Sequence, residues 1–172
     1  MNEISVLMHL LTRKITLDKI GASEEEILDA LNLKTKNKSI YFRYLVANLS
    51  KYIENLGLQV RYNPLDEHWF ITFDQDVSDL VSANPFENQP KIAATLFCTL
   101  SCCFKNSGAC KVHEIVELRK KKGVREDLKV LEKKGYVILD KKFDQVRLTP
   151  LIGYELDLNA LFTKLALKLK EQ

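Results

Sequence analysis

Residues 123 to 149 constrain the fold more than any other stretch of the sequence. They read GVREDLKVLEKKGYVILDKKFDQVRLT, with apolar residues at helical spacing at Val124, Leu128 and Leu131. Gly135 ends this helix, and two short apolar runs separated by a polar turn then predict a hairpin. A helix that passes through one glycine into a two-stranded hairpin is the second half of a winged helix, a helix-turn-helix variant that binds nucleic acid or protein.

The first part of the chain predicts the same order of elements. An amphipathic helix spans 3–14, and Ser23 with Glu26 forms a capping box that starts a second helix. A third helix runs from about Ser39 to Leu56, and turn residues then separate two alternating strands within 58–73. The apolar and aromatic residues that recur in helical register along the third helix are Tyr41, Leu45, Leu49, Tyr52, Ile53 and Leu56.

The second part adds its own opening helix and a C-terminal helix. A nearly apolar stretch at 91–104 predicts a helix buried on most sides, and a short helix follows at 112–119. We therefore predict an α+β, mainly α chain with two tandem winged-helix domains. The predicted domains are an N-terminal winged helix at 1–84, a linker at 85–90 and a C-terminal winged helix at 91–172, which includes the helix from 158 to 169.

Composition predicts an ordinary cytoplasmic protein. The sequence is 46% hydrophobic and 28% charged, and no apolar run approaches the roughly 20 residues of a membrane span. The N-terminus lacks the basic start of a secretory signal. We expect no membrane partner.

Charge divides unevenly along the chain, whose net charge is +3. Residues 1–84 carry 9 Lys and Arg against 12 Asp and Glu, whereas residues 105–149 carry 13 against 7. The predicted nucleic-acid contacts are therefore all in the second part: Arg119, Lys120, Lys121, Lys122, Arg125, Lys129, Lys133, Lys141, Lys142 and Arg147. The same helix also carries Glu126, Asp127 and Glu132 and lacks base-reading amides, so non-specific phosphate binding and a merely solvated basic face both remain open.

Four cysteines at 98, 102, 103 and 110 predict reduced structural thiols rather than a disulfide framework. A metal site would use Cys98, Cys102, Cys110 and His113, but this spacing is not the paired pattern of a zinc site. We predict no metal and no cofactor.

Enzyme signatures are missing from the sequence. The glycines stand singly, so no phosphate-cradling loop is present, and the three histidines lie in different predicted elements. The candidate acid–base pairing is His113 beside Glu114, near Cys110, but helix neighbours in sequence do not face each other. We predict a non-enzymatic protein without a small-molecule substrate.

The third helix is unusually rich in aromatic residues. Tyr41, Phe42, Tyr44 and Tyr52 exceed what one face of a small domain buries. Tyr41, Tyr44 and Tyr52 are the predicted anchors of a homodimer interface. The alternative is an ordinary core with tyrosines at its rim.

Several short motifs resemble the segregation and condensation protein B family. Residues 112–115 (VHEI) are similar to its Thr-Arg-x-Glu-Ile helix start, Gly123-Val124 to its Arg-Gly-Val turn, and 131–137 (LEKKGYV) to its Leu-x-x-x-Gly-Leu-Ile. Leu161-Phe162 matches its closing Phe-Leu helix. The resemblance implies a non-enzymatic homodimer that pairs through its first domains and holds a kleisin of an SMC-type chromosome segregation and condensation complex with its second. The alternative is a tandem winged-helix DNA-binding transcriptional regulator.

Overall fold

The computed structural model describes residues 2–16, 19–32, 37–74 and 86–170, except the side chains of 164–166 and 168–170. Its contacts divide the chain into two compact units: Met1–Ala83 with Leu156–Gln172, and Asn84–Glu155. The C-terminal helix is thus grouped with the first unit. The predicted domain boundaries, which assign this helix to the second domain, stay a prediction.

The first unit combines helices with a small antiparallel sheet. Its elements before the C-terminal segment are α1 (Glu3–Thr12), β1 (Lys14–Thr16), β2 (Lys19–Ile20), β3 (Ala22–Ser23), α2 (Glu24–Ala30), α3 (Lys38–Glu54), β4 (Leu58–Asn63) and β5 (His68–Phe73). The strands form the sheet β3-β5-β4 and a separate β1–β2 pair. The sequence predicts only a connection at 16–21, whereas the structure pairs β1 with β2 there. It also predicts a closing helical turn at 76–82, which lies outside the described residues.

The second unit repeats this order. Its elements are α4 (Pro90–Lys105), β6 (Ala109–Lys111), α5 (Val112–Arg119), α6 (Val124–Lys133), β7 (Val137–Asp140), β8 (Gln145–Leu148) and α7 (Leu151–Glu155), and α8 (Leu158–Lys170) follows. The sheet order β6-β8-β7 matches β3-β5-β4 of the first unit. The predicted fold class, a mainly helical α+β chain with two winged-helix repeats, is confirmed.

A capping box starts α2 as predicted. The backbone N–H of Ser23 donates to Glu26 Oε2 at 2.8 Å, and the N–H of Glu26 donates to Ser23 Oγ at 3.2 Å. The backbone hydrogen bond from Ser23 is the main cause that lowers the pKa of Glu26. The α2 helix is thereby positioned directly after β3.

The inward face of α3 consists of Phe42, Leu45, Leu49 and Ile53. Phe42 is fully buried and its ring packs edge-on against Trp69, with centroids 5.3 Å apart. Tyr52 and Leu56, although in helical register, are 71% and 67% exposed, and the helix ends at Glu54 rather than near Leu56. Apolar residues occur all around α3, so spacing alone could not select the buried stripe.

Gly21 is required by the close approach of β5. It has a φ of +82°, and a Cβ placed on it would lie 1.9 Å from the carbonyl oxygen of Trp69. The next residue, Ala22, pairs with Trp69 in the antiparallel sheet. A side chain at position 21 would therefore break the junction between β3 and β5.

One face of α4 forms part of the core of the second unit. Leu96, Leu100 and Cys103 are buried, whereas Phe97 and Phe104 are exposed. Apart from Lys91, Phe97 and Phe104, the residues of 91–104 are buried or half-buried, so the helix is buried on most sides, as expected. Apolar residues of α4 therefore occur on a narrow outward stripe as well as on the face that packs in the core.

Candidate interaction surfaces

A groove lies between α6 and the β7–β8 hairpin of the second unit. It has a volume of about 620 Å³, and its apolar lining residues are Val112, Leu128 and Leu139. Four basic residues line it: Arg125, Lys129, Lys133 and Lys141. Four acidic residues line it as well: Glu126, Glu132, Asp140 and Asp144. We call this feature the helix–wing groove, and its charges balance.

Two contacts tie α6 to the hairpin across the helix–wing groove. Arg125 donates to both carboxylate oxygens of Asp144, at 2.8 and 3.1 Å. The Arg125 hydrogen bond holds the pKa of Asp144 below its ordinary value, and the same bond raises the pKa of Arg125. Farther along, the N–H of Leu139 donates to Glu132 Oε1 at 3.1 Å. The carboxylates of Asp144 and Glu132 therefore both accept hydrogen bonds from within the second unit.

Asp127 points away from the groove and into the interior. It is 4% exposed, it accepts a hydrogen bond from Thr95 Oγ1 at 2.8 Å, and its other oxygen lies 3.2 Å from Lys91 Nζ. The inward orientation of Asp127 could have been predicted from the sequence, because position 127 falls within the inward stripe defined by Val124, Leu128 and Leu131. Asp127 therefore does not contribute a negative charge to the outer face of α6.

The predicted basic residues occupy more than one place in the second unit. Four of them line the helix–wing groove, while Lys120, Lys121 and Lys122 are exposed in the turn before α6. Lys142 is exposed in the hairpin turn, and Arg119 is half-buried at the end of α5. Arg147 pairs with Ile138, and both are exposed, whereas the next pair places buried Val146 opposite Leu139. Arg147 therefore lies on the outward face of the hairpin, away from the groove.

The three predicted dimer tyrosines differ in exposure. Tyr44 and Tyr52 are 58% and 71% exposed. Tyr41 is half-buried, its hydroxyl donates to Glu3 Oε2 at 2.5 Å, and its ring centroid is 6.1 Å from that of Tyr44. The Glu3 hydrogen bond raises the pKa of Tyr41. Tyr44 and Tyr52 are thus the ones available to a partner.

The cysteines cluster around the end of α4. The Sγ atoms of Cys103 and Cys110 lie 3.2 Å apart in the interior, and all four cysteines are free thiols. Burial raises the pKa of Cys102 to about 11, and the hydrogen bond with Cys103 is the main cause that raises the pKa of Cys110. Within the described ranges, no group of three or more His, Cys, Asp or Glu side chains has a geometry for a metal ion.

In the described part of the chain, no helix has the length and apolar character to cross a bilayer. No family model matches the sequence, and no curated protein is significantly similar to it. A crystal structure of ScpB from Mycobacterium tuberculosis is similar, with a TM-score of 0.34 and 13% sequence identity over 86% of this chain and 88% of that chain.

Proposed function

We propose that this chain is a non-enzymatic accessory subunit in chromosome segregation and condensation. In this proposal the first unit pairs two copies of the chain in the cytoplasm, and the second unit binds a segment of a kleisin within an SMC-type complex. The helix–wing groove is the observation that carries the proposal. The sequence motifs at 112–115, 123–124 and 131–137 support the same family of functions.

The lining of the helix–wing groove fits a protein segment better than a DNA backbone. Phosphate binding requires an excess of unpaired positive charge, whereas here four acidic residues accompany four basic ones. Arg125 is already paired with Asp144. The apolar residues Val112, Leu128 and Leu139 offer contacts to the anchors of an amphipathic or extended segment.

In this proposal the two copies of the chain contact each other through α3. Tyr44 and Tyr52 are separated by eight residues, about 12 Å along the helix, and both are exposed. Large exposed aromatic side chains are typical anchors of protein interfaces. Dimerisation through the first unit leaves the helix–wing groove available to the kleisin.

Consecutive residues on β7 provide a matched test. Leu139 lines the groove, whereas Ile138 is 57% exposed on the opposite face of the same strand. We expect intact wild-type protein and Ile138→Ser to capture the kleisin of the source organism from native lysate, and Leu139→Ser to lose it, as measured by quantitative mass spectrometry. Equal capture by both variants would reject the groove as the kleisin site.

Non-specific DNA binding is the second candidate, and one observation favours it. Asp127 is buried, so the outer face of α6 is less acidic than its sequence indicates, and Lys121 and Lys122 are exposed beside it. Charge reversal of Lys121 and Lys122 should then abolish binding to a short duplex in fluorescence anisotropy. The wild-type affinity should fall steeply with salt and hardly change with DNA sequence. A strong sequence preference would contradict this reading.

A further inference from the structure

A second concave feature lies entirely within the first unit, among α2, the start of α3 and the β4–β5 hairpin. Its volume is about 670 Å³, inside the range of about 300–1,000 Å³ typical of ligand sites. Two of its walls are the rings of Tyr62 and Trp69, whose centroids are 5.1 Å apart with an interplanar angle of 48°. The buried ring of Phe42 packs against Trp69 and fixes it in place. We call this feature the aromatic pocket.

The polar lining of the aromatic pocket is strongly acidic. Four carboxylates line it, from Glu24, Glu25, Asp29 and Glu67, against a single cation, Lys38. Within the described part of the chain, none of the four forms a side-chain hydrogen bond or ion pair. This distinguishes them from the neighbouring Glu26, which is held in the capping box.

The carboxylates act on the aromatic wall electrostatically. Burial is the main cause that raises the pKa of Tyr62, and the charges of Glu67, Asp66 and Glu24 raise it further. The negative potential of these carboxylates therefore reaches the Tyr62 hydroxyl, and aromatic ring faces themselves attract cations through their quadrupoles. A cation at this position would be stabilised by both kinds of group.

We propose that the aromatic pocket binds an arginine side chain presented by a protein partner. A guanidinium is planar, so it stacks on an aromatic ring while its N–H groups donate to a carboxylate in a bidentate arrangement. The compact ammonium of lysine offers no such plane. Nucleic acid is a poor occupant because its phosphates would be repelled by the four carboxylates. This site is separate from the helix–wing groove and does not depend on the function proposed for it.

Intrinsic fluorescence offers a direct test, because Trp69 is the single tryptophan of the chain. The probe is an acetylated, amidated heptapeptide with one central arginine among glycine and serine residues, titrated into the intact protein. We expect a saturable change in Trp69 emission. Replacing arginine by its neutral isostere citrulline should weaken binding by about tenfold or more, since a charge-assisted hydrogen bond contributes at least that much. The lysine peptide should bind less tightly than the arginine peptide.

Matched variants locate the site. Glu24→Gln with Glu67→Gln should weaken binding of the arginine peptide by about fivefold or more. Glu54→Gln with Glu117→Gln removes the same number of charges from exposed positions outside the pocket and should leave the affinity unchanged. The proposal is overturned by the absence of a saturable change, by equal binding of the citrulline peptide, or by equal weakening in both double variants.

Discussion

Arg125 and Asp144 form a bidentate ion pair that joins the third helix of the second unit to the turn of its wing. Both side chains are well exposed, at 62% and 48%. Exposed pairs add little to stability, so the pair acts mainly by fixing the position of the hairpin relative to α6. It also removes Arg125 from the set of cations that are free to meet phosphate.

The contribution of this pair should depend on pH in a defined direction. The hydrogen bond from Arg125 lowers the pKa of Asp144 in the folded protein below its ordinary value of 3.8. The resulting stabilisation is therefore present above the ordinary value and is lost as pH falls through the folded pKa. Asp144→Asn should lower the melting temperature slightly at neutral pH. The difference from wild type should vanish below the folded pKa, and a difference that persists there would show that Asp144 acts by another route.

The buried carboxylate of Asp127 should matter more for stability. Asp127→Ala removes the acceptor of the Thr95 hydroxyl, which is itself fully buried. An unsatisfied buried hydroxyl costs about 1–3 kcal/mol, so the urea midpoint of unfolding should fall accordingly. Lys129→Ala, at an exposed position of the same helix, serves as the control. Equal midpoints for the two variants would mean that the Thr95 contact is not formed.

Dimerisation through α3 should depend on Tyr44 and Tyr52. Their joint replacement by serine is expected to weaken self-association by roughly thirtyfold or more, because interface hot spots contribute about 2 kcal/mol or more. Light scattering across a wide concentration range measures this. The exposed residues Arg43 and Glu54, on the other flank of the helix, give a matched double-serine control. A dimer that survives the tyrosine changes would place the interface elsewhere.

The cysteines should react slowly in the native protein. With the pKa of Cys102 raised to about 11, only about a thousandth of that thiol is ionised near pH 8. Cys103 and Cys110 are buried beside each other. Iodoacetamide labelling followed by mass spectrometry should modify the half-exposed Cys98 first, and all four thiols only after denaturation. Rapid native labelling of Cys103 or Cys110 would contradict their buried placement.

The main helices and both wing hairpins could be predicted because each carries a long periodic signal. The α5 helix was expected at 112–119 and is found at Val112–Arg119. Short elements carry no such signal. The two-residue strand β3 is defined only by its pairing with β5, and the three-residue strand β6 only by its pairing with β8. The helix α7, with five residues, is also too short to show a periodic pattern.

The candidate sites were less accessible to sequence reasoning. A basic helix can be recognised from composition, and the helical register places Asp127 on the inward stripe, but the pairing of Asp127 with Thr95 and of Arg125 with Asp144 depends on tertiary contacts. The aromatic pocket was missed altogether. It brings Tyr62 and Trp69 together with Glu24, Glu25 and Asp29, which lie about 40 residues away in the sequence, and no local pattern indicates that proximity.

The short strands β3 and β6 also have a consequence for how the chain folds. Ala22 pairs with Trp69, and Ala109 pairs with Arg147, so each sheet is completed only across the two helices that lie between its strands. Closing such long loops costs entropy before pairing repays it, whereas the β4–β5 and β7–β8 hairpins form locally. We therefore expect β3 and β6 to be the last strands of their sheets to form in the folding reaction. Their pairing then stabilises the native state but not the transition state for folding. Substitutions in β3 or β6 should therefore speed unfolding while leaving the folding rate nearly unchanged.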